Sequence, residues 1–219
     1  MLSIPFITGF TNFFKNLWTA CTGPDTPSFF TKKEWTNDPS TIPAAAIGVQ
    51  RESTWLGGGI RKVTGEWGNH IIGCMGGLDT IEAMPNGIQP GSIKTNMRPT
   101  CQMIIFVKKD LTLDQCHSIL GFLQGAVGKA YAYFKLVYDF LIGGDDSSNT
   151  TEFCSEVETR AYKNEGIKIS NSTPQQTSPG EVQIYLLSKE GIAAGWYIYD
   201  TYNITLEDAL KTGYDYIVS

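Results

Sequence analysis

The sequence predicts an α+β domain, an antiparallel sheet packed against helices, preceded by an aromatic helical arm. Three observations carry this. Short strand-like segments bounded by Gly, Pro, Asn and Asp crowd residues 47–108, a helical block with its own capping signal follows, and strand-like segments return near the end. A chain of 219 residues with 42% hydrophobic content suffices for one well-filled core. Residues 1–43 read as arm and linker and residues 44–219 as the domain.

In the arm, Phe6, Phe10, Phe13, Phe14 and Leu17 recur at helical spacing, which predicts a helix over residues 5–18 with one aromatic stripe. That stripe packs on its own domain, or it docks to a partner protein, an assembly or a membrane surface. With Lys15 as its only cation it suits anionic lipid poorly. Residues 21–46 are rich in Pro, Thr, Asp and Ser and read as an irregular connection. Strands are expected at Ile47–Gln50, His70–Met75, Thr80–Ala83 and Met103–Lys108, and again at Glu181–Leu187 and Gly195–Tyr199. Between the two groups, Thr112-Leu-Asp-Gln115 has the spacing of a capping box, and Cys116, Ile119, Leu120, Leu123 and Val127 make one apolar helical face. A second helix is expected from Phe153 or Cys154 to Gly166, burying Val157 and Ala161, and a third from the cap Thr205 to Gly213.

Charge and cysteine usage exclude several functions. The net charge of −5, with no Lys/Arg-rich run, offers no grip on a phosphate backbone, so no nucleic-acid partner is expected. Five cysteines, an odd number with no C-x-x-C pair, argue against a disulfide framework and against zinc; no metal or cofactor is expected. Thr8, Gly9, Thr11, Asn12, Lys15 and Asn16 interrupt the first twenty residues, which do not fit a secretory signal, and no apolar run reaches membrane-spanning length. A soluble or peripheral protein is expected, its compartment open. The stretch Gly121–Ala130 fails as a phosphate loop at Leu123 and Ala130, Ser53 and Ser155 lack nucleophile-elbow glycines, and Asp145-Asp146 is too local for a calcium loop.

The chain has only two histidines. His117 falls on the flank of its helix with Gly121 and Gln124 and should face solvent, which leaves His70 for any imidazole chemistry. His70 opens an apparent hairpin that runs to Glu82 and Ala83. A three-residue loop at Met75-Gly76-Gly77 sets His70 directly opposite Glu82, whereas a two-residue Gly76-Gly77 turn sends them to opposite faces. Cys154 lies where a Thr/Asn/Asp-rich loop, Gly143–Thr151, turns into a helix. A thiol there sees the positive end of the helix dipole and free N–H groups that favour thiolate; the plainer reading is a small buried residue at a helix start. Cys74, Cys101 and Cys116 fit that plainer reading better.

The order of these parts resembles the permuted NlpC-like branch of the papain-like cysteine hydrolases, YiiX-type members in particular, with lecithin:retinol acyltransferase-like proteins as relatives. The likeness rests on Asn69-His70-Ile71-Ile72, on Thr80-Ile81-Glu82-Ala83 with Gly87, on Phe153-Cys154-Ser155-Glu156-Val157 leading to Ala161-Tyr162, on the helix ending Gly128-Lys-Ala-Tyr131 and on Tyr138-Asp139, and it covers roughly residues 45–165. Asn69 stands where the family often has Ser. The resemblance implies a permuted papain-like fold in which Cys154 attacks a carbonyl, His70 takes and returns the proton, and Glu82 fixes the imidazole. It implies an acyl substrate: a peptide or peptidoglycan amide for a cysteine peptidase or amidase, or a lipid-like group for a lipid amidase, thioesterase or acyltransferase. A structural or binding module of a larger assembly, carrying a hydrolase-like domain and held by the aromatic arm, is the reading from another class.

Overall fold

A computed structural model describes residues 35–52, 65–84, 86–131, 151–152 and 154–214. The expected helix over residues 5–18, Cys21, the loop 143–150, Tyr138-Asp139 and Phe153 lie outside the described residues. Six strands form one sheet in the order β4-β3-β2-β1-β5-β8, each antiparallel to its neighbours. They are β1 (Ala46–Glu52), β2 (His70–Gly76), β3 (Asp79–Met84), β4 (Gly87–Ser92), β5 (Cys101–Lys108) and β8 (Trp196–Tyr202); β6 (Ala130–Tyr131) and β7 (Thr151–Glu152) make a separate parallel pair. The helices are α1 (Ile93–Asn96), α2 (Leu113–Ala126), α3 (Cys154–Asn164), α4 (Pro179–Leu187), α5 (Lys189–Ala193) and α6 (Leu206–Tyr214).

The sheet is apolar on both faces, so its strands read as nearly continuous hydrophobic runs. One face, with Ile47, Val49, Ile71, Ile81, Ile104 and Phe106, packs with Ile119 and Leu123 of α2 and Val157, Ala161 and Tyr162 of α3. The other, with Ala46, Ile72, Cys74, Met103 and Ile105, is covered by Ile42, Ile93, Trp35, Met97 and Tyr202. The Trp35 and Tyr202 rings lie 5.3 Å apart, and the Asp200 carboxylate accepts from the backbone N–H groups of Thr36 and Asn37 at 3.2 and 2.7 Å. The Thr112 capping box forms as its spacing predicts, with Gln115 N–H donating to Thr112 Oγ1 at 3.2 Å and Thr112 N–H donating to Gln115 Oε1 at 3.1 Å.

Two expectations are corrected. The segment Glu181–Leu187, read as a strand, belongs to helix α4. Ser178 caps it, accepting from the Glu181 N–H at 3.0 Å with Pro179 in the first turn. Val182, Tyr185 and Leu186 are buried at helical rather than alternating spacing.

The second correction concerns the β2–β3 hairpin. It closes at Gly76↔Asp79 around a two-residue turn, with Gly76 and Gly77 at φ +110° and +60°, a region glycine enters without steric cost. The pairing then shifts by one residue between Gly76 and Cys74, a β-bulge at Met75. Without the bulge Glu82 would fall opposite Gly73; with it, Glu82 falls opposite Ile72. His70 is therefore not directly opposite Glu82 but two residues along on the same face.

Tyr162 ties the helical layer to the sheet. Its buried hydroxyl donates to the Ala45 carbonyl at 2.5 Å. Tyr162→Phe leaves that carbonyl without this donor, at a cost of about 1–2 kcal/mol. The melting temperature should fall by about 2–8 °C, at 2–4 °C per kcal/mol for a chain of this size. An unchanged melting temperature would show that the bond contributes nothing.

Candidate active site

His70 and Cys154 are each the first residue of their element, and the site lies where those two ends meet. Asn69, just before His70, continues the sheet with its side chain. Its Oδ1 accepts from the Glu52 N–H at 3.0 Å, its Nδ2 donates to the Glu52 carbonyl at 2.8 Å, and its backbone N–H donates to Gln50 O at 2.9 Å. The strand end is thereby fixed right up to the histidine, which is what Asn offers at this position and a smaller Ser would not.

His70 Nε2 lies 3.7 Å from Glu82 Oε2, within ion-pair reach but longer than a hydrogen bond. Glu82 is itself held: Thr80 Oγ1 donates to its Oε1 at 2.6 Å and Asn96 Nδ2 donates to the same oxygen at 2.8 Å. Burial pushes the Glu82 carboxyl up, but the neighbouring His70 and the hydrogen bonds from Thr80 and Asn96 outweigh it and hold the group below its ordinary range, as carboxylate. Gly91 leaves room for this arrangement, since a Cβ there would come within 2.3 Å of Glu82 Oε1.

The Cys154 sulfur is hydrogen-bonded to the His70 ring. With Nε2 turned towards Glu82, Nδ1 is the nitrogen left for the sulfur. Burial pushes the Cys154 thiol up, but the His70 bond and charge, with the backbone N–H groups of Ile71 and Ser155, pull it below its ordinary value. The Ile71 N–H is available because β2–β3 pairing starts one residue later, at Ile72↔Glu82. For His70 the order is the same: burial lowers its proton affinity, and Cys154 and Glu82 more than reverse that. Both shifts favour thiolate and imidazolium over the neutral pair. The ring keeps 14% of its surface exposed, enough for an edge to meet a bound molecule.

His117 is exposed on α2, away from this group. Cys74, Cys101 and Cys116 all have their thiols pushed up by burial and stay protonated. The two residues after the cysteine serve the helix. Ser155 Oγ donates to the Thr177 carbonyl at 2.5 Å, and Glu156 pairs with Arg160 at 2.7 Å. Thr80 and Asn96 escaped the sequence reading; Thr80, two residues before Glu82 on the same strand face, was findable by alternation, whereas Asn96 comes from a one-turn helix that nothing in the sequence links to Glu82.

No family model matches the chain, and no curated protein matches it. Among solved structures it is similar to the crystal structure of metalloprotein YiiX from Escherichia coli O157:H7, at 15% identity, covering 80% of this chain and 93% of that one with a TM-score of 0.46. Among the described residues no group of three or more His, Cys, Asp or Glu side chains is placed to hold a metal ion, and no helix is long and apolar enough to cross a membrane.

The ion pair has a signature in stability. The ordinary values are 6.5 for His and 9.0 for Cys. The folded His70 lies above its value, so its contribution is full below 6.5 and is lost as pH rises through the folded value. The folded Cys154 lies below its value, so its contribution is full above 9.0 and is lost as pH falls. Above 9.0 the Cys154 contribution is full and only the His70 contribution still changes, falling as pH rises through about 10. The melting-temperature difference between wild type and the double variant His70→Gln, Cys154→Ser should therefore be smaller at pH 10 than at pH 7. A difference as large at pH 10 as at pH 7 would mean the two groups are not paired.

Proposed function

We propose that the chain is a cysteine hydrolase of the permuted papain-like, NlpC-like kind, a peptidase or amidase that cleaves an amide bond through a thioester. The observation that carries this is the Cys154 thiol at a helix start, bonded to an imidazole that in turn faces a carboxylate fixed by two donors. Structural ion pairs seldom need a cysteine, and buried structural cysteines keep their protons, as the other three described here do.

In the reaction, the Cys154 thiolate attacks the substrate carbonyl carbon and its S–C bond forms. The tetrahedral intermediate collapses by breaking the C–N bond, and His70 gives its Nδ1 proton to the departing amine. A water then attacks the thioester while neutral His70 takes its proton. Breaking the S–C bond releases the carboxylic acid and restores thiolate and imidazolium. Glu82 stays ionised throughout and keeps the ring turned so that Nδ1 faces the sulfur. An amide suits this site better than an ester because an amine is a poor leaving group without a proton, and His70, its proton affinity raised, holds one ready at neutral pH.

Iodoacetamide labelling at pH 6, read by peptide mass spectrometry, tests the reading. Cys154 should be alkylated ahead of the other four cysteines. His70→Ala should slow it about 100-fold or more, because an ordinary thiol is well under 1% thiolate at that pH. Glu82→Gln should slow it less, since the ring remains. Equal labelling of all five cysteines, indifferent to His70, would refute the proposal.

A further inference from the structure

One carboxyl in the core belongs to none of the pairs above. Glu158 follows Cys154 by one helical turn on α3, so the two side chains stack on one face of the helix. It is 2% exposed, and its Oε2 has no hydrogen-bond partner among the described residues. Strand β2 crosses directly over it at Gly73, where a Cβ would come within 2.3 Å of Glu158 Oε1 and 2.7 Å of Leu123 Cδ1. The carboxyl fills space that a side chain on the strand would otherwise need. The titratable groups around it are Cys154 and Tyr162 on α3, Cys74 on β2 and, beyond Tyr162, Cys116 on α2. All of these are neutral or negative. The cation of the site, His70, is already shared between Cys154 and Glu82.

Two negative charges one helical turn apart, both buried, do not coexist cheaply. We propose that Glu158 is a positioning residue for the nucleophile: as a neutral acid it lets Cys154 remain a thiolate, and by ionising it sets the alkaline limit of the site. This rests on the cysteine-hydrolase reading above. When Glu158 releases its proton to solvent, its carboxylate acts on the sulfur, its nearer neighbour, more strongly than on the ring. The His70 Nδ1 proton returns to Cys154, and the pair becomes thiol and neutral imidazole. Burial and the Cys154 charge both push the Glu158 carboxyl up, to about 8, which locates the limit just above neutrality.

The test uses the full chain and iodoacetamide, with the second-order rate at Cys154 followed from pH 5 to 9. In wild type the rate should reach a plateau and then fall several-fold above about pH 8, the opposite of a free thiol. Glu158→Gln, which has the same shape and cannot ionise, should hold the plateau to pH 9. A fall in the Gln variant equal to that of wild type, or no fall in wild type, overturns the proposal. Should the variant fold poorly, carbon-13 NMR of glutamate carboxyls in wild type decides: a Glu158 signal titrating near 8 supports the assignment, and one titrating near 4 overturns it. The two readings fail separately. If His70→Ala leaves the rate at pH 6 unchanged, the hydrolase reading falls; if His70 matters and Glu158→Gln keeps the wild-type profile, only the Glu158 assignment falls.

Discussion

A strand offers its side chains alternately to two faces, so one residue more or less between His70 and the turn decides whether it shares a face with Glu82. The bulge at Met75 supplies that residue. Its cost is a local break in the ladder and two glycines at positive φ. The return is that His70, Ile72, Thr80 and Glu82 all lie on one side of the sheet, where Thr80 and Asn96 can hold the carboxylate. The same hairpin leaves the Ile71 N–H outside the β2–β3 ladder and so free to meet the sulfur. A regular hairpin with the same two-residue turn would turn Glu82 towards the α3 side and abolish the constellation without altering any of its residues.

Charge is the second constraint on the site. Cys154 is 3% exposed, Glu82 5% and Glu158 2%, so water screens none of them well. One imidazolium can stabilise the thiolate and the Glu82 carboxylate together, because its two nitrogens point in different directions. It cannot serve a third anion behind the sulfur. Unmatched buried charge is normally removed by protonation rather than tolerated, and a neutral Glu158 follows from that rule before any chemistry is considered.

Much of this was legible in the sequence, for identifiable reasons. Only two histidines were available, and only one of them fell on a strand, so His70 followed by elimination. Cys154 was marked by a change from loop-forming to helix-forming residues, and α2 by its capping box. The expectation failed where a local pattern is ambiguous or where geometry is set at a distance. Val182, Ile184 and Leu186 alternate like a strand, but the helix start at Ser178-Pro179 overrides that pattern. The hairpin register depended on a bulge, which leaves no composition signal at Met75. Glu158 looked like one more polar residue on an amphipathic helix; its burial comes from Gly73, a position more than eighty residues earlier in the chain.

The segment after residue 168 has no counterpart in the resemblance, yet it joins the two ends that carry Cys154 and His70. Thr177 accepts from Ser155 at the start of α3. The next residue, Ser178, donates to the Glu66 carboxylate, four residues before His70. Gly180 packs against Glu66, so closely that a Cβ would come within 2.3 Å of the Glu66 Cβ, and also lies beside Gly68, on the approach to β2. Ser178 is at once the N-cap of α4, accepting from Glu181. One turn of chain thus fixes the first residue of α3 relative to the first residue of β2, while α4 anchors that turn in the core through Val182, Tyr185 and Leu186. Cys154 and His70 lie on elements far apart in sequence, and the proposed chemistry tolerates displacements of well under 1 Å. A buried strut between their two backbones meets that demand more directly than any contact between the side chains themselves, because it limits the motion of the elements and leaves the thiolate and imidazole free to exchange their proton.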